Sequence, residues 1–153
     1  MTDAGSAGLV HGPWGSDVTD VSIDVPVPDG VTSCEVSWRS WAVDSRDGEV
    51  DRVYIGGAEV WSMASRCFSG NDGWEVGPSD FPAYWDGEGR ACFIEVTRLV
   101  DCSPGVLNVR FTSGIDQEEQ DESWGFSDVT VIGSSGPLVI SLNGNSGAFP
   151  DNN

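Results

Sequence analysis

An all-β antiparallel sandwich is the fold class this sequence predicts, and three observations predict it. Gly, Pro, Asp, Ser and Asn punctuate the chain every ten residues or so, the segments between them alternate apolar and polar residues, and helical periodicity is nearly absent. A length of 153 residues suits one domain with a single core. Such a chain winds as an immunoglobulin-like fold or as a jelly roll.

The elements follow in order. Residues 1–13 are rich in Gly and read as a flexible leader. "VSIDVPV" places Val21, Ile23, Val25 and Val27 on one face, and its Pro26 points to a sheet edge. "CEVSWRSWAV" (34 to 43) turns Val36 and Trp38 inward. "DRVYIGGAEVWSM" reads as two strands joined at Gly56 and Gly57, a pair that supplies the positive φ of a tight hairpin. From Ala64 to Gly89 the alternation is lost, as in a long decorated loop. It returns in "ACFIEVTRLV" (91 to 100), "GVLNVRFTS" (105 to 113) and "GFSDVTVIG" (125 to 133), for about seven strands in all. The segment 134–153 holds one more candidate strand and a polar tail expected to be partly loose.

Charge narrows the functional classes. Asp and Glu number 25 against 7 basic residues, all Arg, for a formal charge of −18. Nucleic acid and anionic membrane surfaces would meet like charge, so neither is an expected partner. A chain this acidic gains stability from bound cations or a salty medium. A salt-rich source would explain the same composition.

Two acidic clusters stand at corresponding places. "DSRDGE" follows the strand 34–43, and "IDQEEQDESWG" follows the strand 105–113. If these strands run the same way, both clusters emerge at one end. Asp44, Asp47 and Glu49, completed by Asp121 or Glu122 and backbone carbonyls, then offer the oxygen-rich set that Ca2+ requires, with Gly48 allowing the bend. Neither cluster has EF-hand spacing. The bland alternative is a solvated acidic turn. Asp51, at the start of the next strand, is expected to face water.

At this point the residues carry a resemblance. "WRSWAVDSRDGEVDRVYIGGAEVW" followed by "GVLNVRFTSGIDQEEQDESWGFSDVTV" resembles a module of large secreted or cell-surface proteins of single-celled eukaryotes, where a run like F-W-A-I-D-S-W-D-G-E precedes a late D-E-S-W-G. That module is similar to members of the galactose-binding-like jelly-roll superfamily. "WGFSDVTV" is more distantly similar to the closing strand of reelin repeats and MAM domains. The resemblance covers residues 14–133 and implies a jelly roll, a calcium ion near one end, and roles in adhesion or carbohydrate recognition. It matches Asp44, Asp47 and Glu49 to the acids of the first motif, Glu122 to the acid of E-S-W-G, and Asp128 to the last Asp of the closing strand. Arg46 departs from it by standing where a Trp is usual, and Ser127 by replacing an Asp.

Cys34, Cys67, Cys92 and Cys102 include no C-x-x-C pair, and His11 is the sole imidazole, so two disulfides are expected rather than a zinc site. Disulfides imply an oxidising, extracellular-type compartment. Four cysteines allow three connectivities. If the strands leading into the two acidic clusters start together at the far end, Cys34 reaches Cys102 and leaves Cys67 for Cys92. The N-terminus lacks the features of a secretion signal and no transmembrane run exists, so a secreted version would be a mature or excised piece of something longer.

Trp38 and Trp124 are expected in the core. Trp74, Tyr84 and Trp85, in the long loop with Phe81, are candidate platforms for sugar rings, whose apolar faces match an aromatic plane. The alternative is a satellite core beneath the loop. The expectation is a secreted or surface-displayed, calcium-binding module for adhesion or carbohydrate recognition. Its partners would be a glycan or a cell-surface protein, alongside neighbouring domains of a larger chain. A structural spacer stiffened by calcium is the first rival. A carbohydrate-active enzyme using a carboxylate pair is the second, but the sequence chooses no pair and His11 lies in the leader. Non-enzymatic function is therefore expected.

Overall fold

The strand ends decide where the two acidic clusters go. The computed structural model describes residues 1–67, 73–81, 90–134 and 139–141, with Asp47, Arg66 and residues 139–141 described by backbone alone. The strands are β1 (Thr2–Asp3), β2 (Leu9–Trp14), β3 (Asp20–Val27), β4 (Ser33–Asp44), β5 (Asp47–Ile55), β6 (Ala58–Arg66), β7 (Glu75–Val76), β8 (Ala91–Asp101), β9 (Gly105–Ser113), β10 (Glu122–Gly133) and β11 (Val139–Ser141). Among the described residues the only helical element is a 3-10 turn at Gly5–Ala7.

All pairings are antiparallel, in two sheets. One sheet runs β1-β2-β10-β4-β8-β7 with β11 added on β10, and the other runs β3-β9-β5-β6. The fold is an antiparallel β-sandwich, and its strand order is compatible with a jelly roll. Pro26 lies in the edge strand β3, where a missing backbone donor costs no ladder bond. Gly56 and Gly57 take φ values of 58° and 86° and turn β5 into β6.

Between the sheets, inward positions of both layers interdigitate. Phe111 stacks on Phe126 at 4.0 Å between ring centroids, and Trp38 meets Trp61 and Phe111 edge to face. Trp38 and Trp124 are buried there, as the alternation predicts. A second cluster, Ala4, Val10, Trp41, Val43, Phe81 and Ala91, forms separately from this core.

That cluster overturns the flexible leader. Residues 1–13 form β1, the 3-10 turn and most of β2, which pairs with β10. His11 is 6 % exposed and stacks on Phe126, while Val10 enters the second cluster. Both faces of β2 are covered, so the segment shows no alternation to read. The candidate C-terminal strand exists as β11, and the rest of the tail lies outside the described residues.

Register places both clusters at one end. Asp44 lies opposite Glu122, and Ser113 lies opposite Asp51. Thus β4 and β9, in different sheets, run to the same end of the sandwich. At the other end Cys34 is bonded to Cys102, and Cys67 to Cys92 secures the start of the long loop. These are the pairings the strand ends imply. The bridges also indicate an oxidising environment, and among the described residues no helix is long and apolar enough to cross a membrane.

Loop length ranks the two bridges. Replacing Cys34 and Cys102 by Ser, which opens a loop of 68 residues, should lower the unfolding free energy by about 4 kcal/mol; replacing Cys67 and Cys92, 25 apart, should cost about 3.5. Urea unfolding of both double variants checks the order, and a larger loss for the shorter loop would refute it.

Candidate metal centre

At the acidic end the inward-facing columns change from apolar to charged. Along β5, Ile55 and Val53 are buried in the core, and the same face continues as Asp51 and then Glu49. Along β10, Phe126 and Trp124 continue to Glu122, which is 1 % exposed. Along β9, Val109 and Phe111 continue to Ser113, which the segment after β9 extends to buried Ile115. A bulge between Asp47 and Val50, with Gly48 at φ 141°, shifts the start of β5.

Three carboxylates meet there. Glu49, Asp116 and Glu122 each place one oxygen within 4.8 Å of the others. They come from β5, from the segment after β9 and from the first residue of β10, so tertiary structure alone brings them together. The set is all oxygen, the chemistry of a hard cation, and oxygens so spaced suit an ion at about 2.3–2.6 Å from each. This group could hold a metal ion. Asp116 opens onto an acidic hollow lined also by Ser16, Gln117, Glu118, Gln120 and Asp121.

The backbone around the trio is tightly held. Gly114 N donates to Val50 O at 3.0 Å, Asp121 N and Glu122 N donate to Glu118 O at 2.9 and 3.0 Å, and Ser16 N donates to Gln117 O at 2.8 Å. Gly15 packs against this segment so closely that a Cβ there would lie 2.3 Å from Glu119 N. A side chain at position 15 would displace the segment that carries Asp116.

Beneath the trio lies a buried guanidinium. Arg46 is 0 % exposed; its Nε donates to Glu49 Oε2 at 3.3 Å and its Nη2 to Asp51 Oδ1 at 2.8 Å and to Glu49 O at 3.3 Å. Ser113 Oγ donates to the same Asp51 oxygen at 2.5 Å. Burial pushes the Asp51 carboxyl above the usual aspartate range, against the pull of the Arg46 charge and of hydrogen bonds from Arg46 and Ser113. The folded chain therefore binds this proton more tightly than the unfolded chain, and Asp51's contribution to stability falls as pH rises through the raised value.

The sequence-derived residues divide as follows. Glu49 and Glu122 join the trio. Asp44 is buried opposite Glu122 with φ 63°, a left-handed conformation that aspartate tolerates better than most residues. The side chain of Asp47 lies outside the described residues. Asp121 has an exposed side chain, and it is its carbonyl that works here, accepting from Ser45 N and Oγ. Asp116 takes the place expected of Asp121, because β10 already begins at Glu122 and the connecting segment folds back from Asp116.

Two expectations are corrected. Asp51 does not face water: it is 4 % exposed and shared by Arg46 and Ser113. Its place on one face with Val53 and Ile55 was the signal for burial. Trp74 is 4 % exposed and belongs to the main core, with Nε1 donating to Ala64 O, so it presents no open face for a sugar ring. Tyr84 and Trp85 lie outside the described residues. Asp128, at φ 55° in a bulge of β10, pairs with Arg39 at 3.5 Å, six residues along the strand from Glu122.

Comparison of the chain with protein-family models, with curated proteins and with solved structures finds no match to any of them.

The buried pair carries a stability prediction. Arg46→Ala should cost about 3–5 kcal/mol in metal-free buffer, because Asp51 is then left buried without its charge partner. Adding Asp51→Asn should recover part of that loss. Urea unfolding of both variants checks it, and a single variant within about 1 kcal/mol of the parent would contradict the pairing.

Proposed function

We propose that this chain is a calcium-binding extracellular module that serves adhesion or carbohydrate recognition within a larger surface protein, and not as an enzyme. The convergence of Glu49, Asp116 and Glu122 carries the reading. The trio stands at this end with Asp44 paired in register opposite Glu122, and the Arg46 guanidinium there pairs with Glu49 and Asp51. Of the trio Glu122 is buried, Glu49 partly buried and Asp116 exposed, and holding like charges this close is unfavourable unless a cation offsets them. Calcium fits the all-oxygen donor set, with carbonyls and water completing six to eight ligands.

The compartment supports the same choice. Disulfides persist where the medium is oxidising, and calcium is abundant outside cells. The resemblance of the D-S-R-D-G-E and D-E-S-W-G segments to the galactose-binding-like module agrees with it. A second reading, a spacer that calcium stiffens without ligand recognition, is favoured by the burial of Trp74.

Calcium separates these readings. At about 100 times Kd it should add about 2.7 kcal/mol, a rise in Tm of about 5–10 °C reversed by chelator. Asp116→Asn and Glu122→Gln should each abolish the rise without lowering the calcium-free Tm, since each relieves like-charge repulsion. Glu49→Gln should abolish the rise and also lower the calcium-free Tm, because it weakens the ion pair with Arg46. No shift at millimolar calcium would sink the metal reading. Calcium-dependent retention on a glycan array would support recognition, and its absence the spacer.

A further inference from the structure

Glu49 has two claims on it. It belongs to the carboxylate trio, yet its Oε2 accepts from Arg46 Nε at 3.3 Å and from Gly48 N at 3.2 Å. Arg46 is also held at Nη2 by Asp51, 2.8 Å away. Its third nitrogen, Nη1, is buried without a hydrogen-bond partner among the described residues. A guanidinium placed for structural pairing alone would satisfy its donors, since each buried and unmet one is costly. Here one nitrogen is left unmet while another contacts the Glu49 carboxylate.

We propose that Arg46 is a tethered counter-cation that competes with the metal ion for Glu49: it holds the acidic end together when no ion is bound and thereby sets a reduced affinity. The inference rests on the metal reading above and makes Arg46 a positioning residue for that site. Asp51 has a defined part in it. By drawing Nη2 and part of the charge towards β5 and Ser113, Asp51 restrains Arg46 from committing fully to Glu49.

Opposite substitutions therefore move affinity in opposite directions. Arg46→Met, which keeps the length of the stem and removes the charge, should lower stability without calcium but tighten calcium binding roughly ten- to a hundredfold, the equivalent of one charged hydrogen bond. Asp51→Asn, which can still accept from Ser113, should weaken calcium binding by releasing Arg46 to Glu49. Calorimetric titration of the folded parent and both variants with calcium chloride reads this directly. An Arg46→Met affinity equal to or weaker than the parent's would overturn the proposal while leaving the metal site intact. If Arg46→Met does not fold, Asp51→Asn decides alone: weaker binding supports the competition, and unchanged or tighter binding overturns it. If neither the parent nor any variant binds calcium, the metal reading itself fails and this inference with it.

Discussion

The Arg46 guanidinium, closed off from solvent between Glu49 and Asp51, is the contact on which the acidic end of the sandwich depends. Burying a charge is costly, and the cost is offset only where opposite charge and hydrogen bonds are close at hand. β5 supplies both through residues two apart on one face, and β9 adds the Ser113 hydroxyl. One side chain from a two-residue connection thus ties the start of β5 to the end of β9, across which the trio assembles.

Everything else at this end follows from register. β4 and β10 are both twelve residues long and pair along most of their length, interrupted by one bulge beside Asp128. That ladder fixes Glu122 beside Asp44 at one end and Gly133 beside Cys34 at the other. A slip of one residue would turn Glu122 away from the mouth and Trp124 out of the core together, so burial of the tryptophan also positions the carboxylate. The disulfide at Cys34 and Cys102 secures the opposite end. The charged mouth and the covalent staple are separated by the full length of the core.

The outer surface shows how so acidic a chain spends its few cations. Arg39 lies 4.6 Å from the Phe93 ring and bridges Glu95 and Asp128, and Arg98 donates to Val60 O across the sheets. Arg110 pairs with Asp20 and holds its carboxyl below the usual aspartate range, chiefly by hydrogen bonding. Where no cation is at hand, hydroxyls and amides serve. Ser6 donates twice to Asp80, lowering that carboxyl too, and links the N-terminal turn to the segment whose Phe81 covers Trp41.

By itself the sequence determined the fold class, the main strands, the hairpin at Gly56 and Gly57, the inward course of Val36 and Trp38, and that the acidic segments carrying Glu49 and Glu122 meet at one end. Those properties are local: alternation, turn chemistry and the order of acids along the chain are written within a few residues. Other features were decided only by tertiary structure. His11 is buried because β2 lies along β10, Trp74 because it fills the main core, and Asp51 because Arg46 and Ser113 converge on it. Asp116, not Asp121, completes the trio because the segment after β9 folds back before β10 begins. In each case the deciding neighbour is distant in sequence or stands across a turn, where the period of two no longer says what a side chain meets.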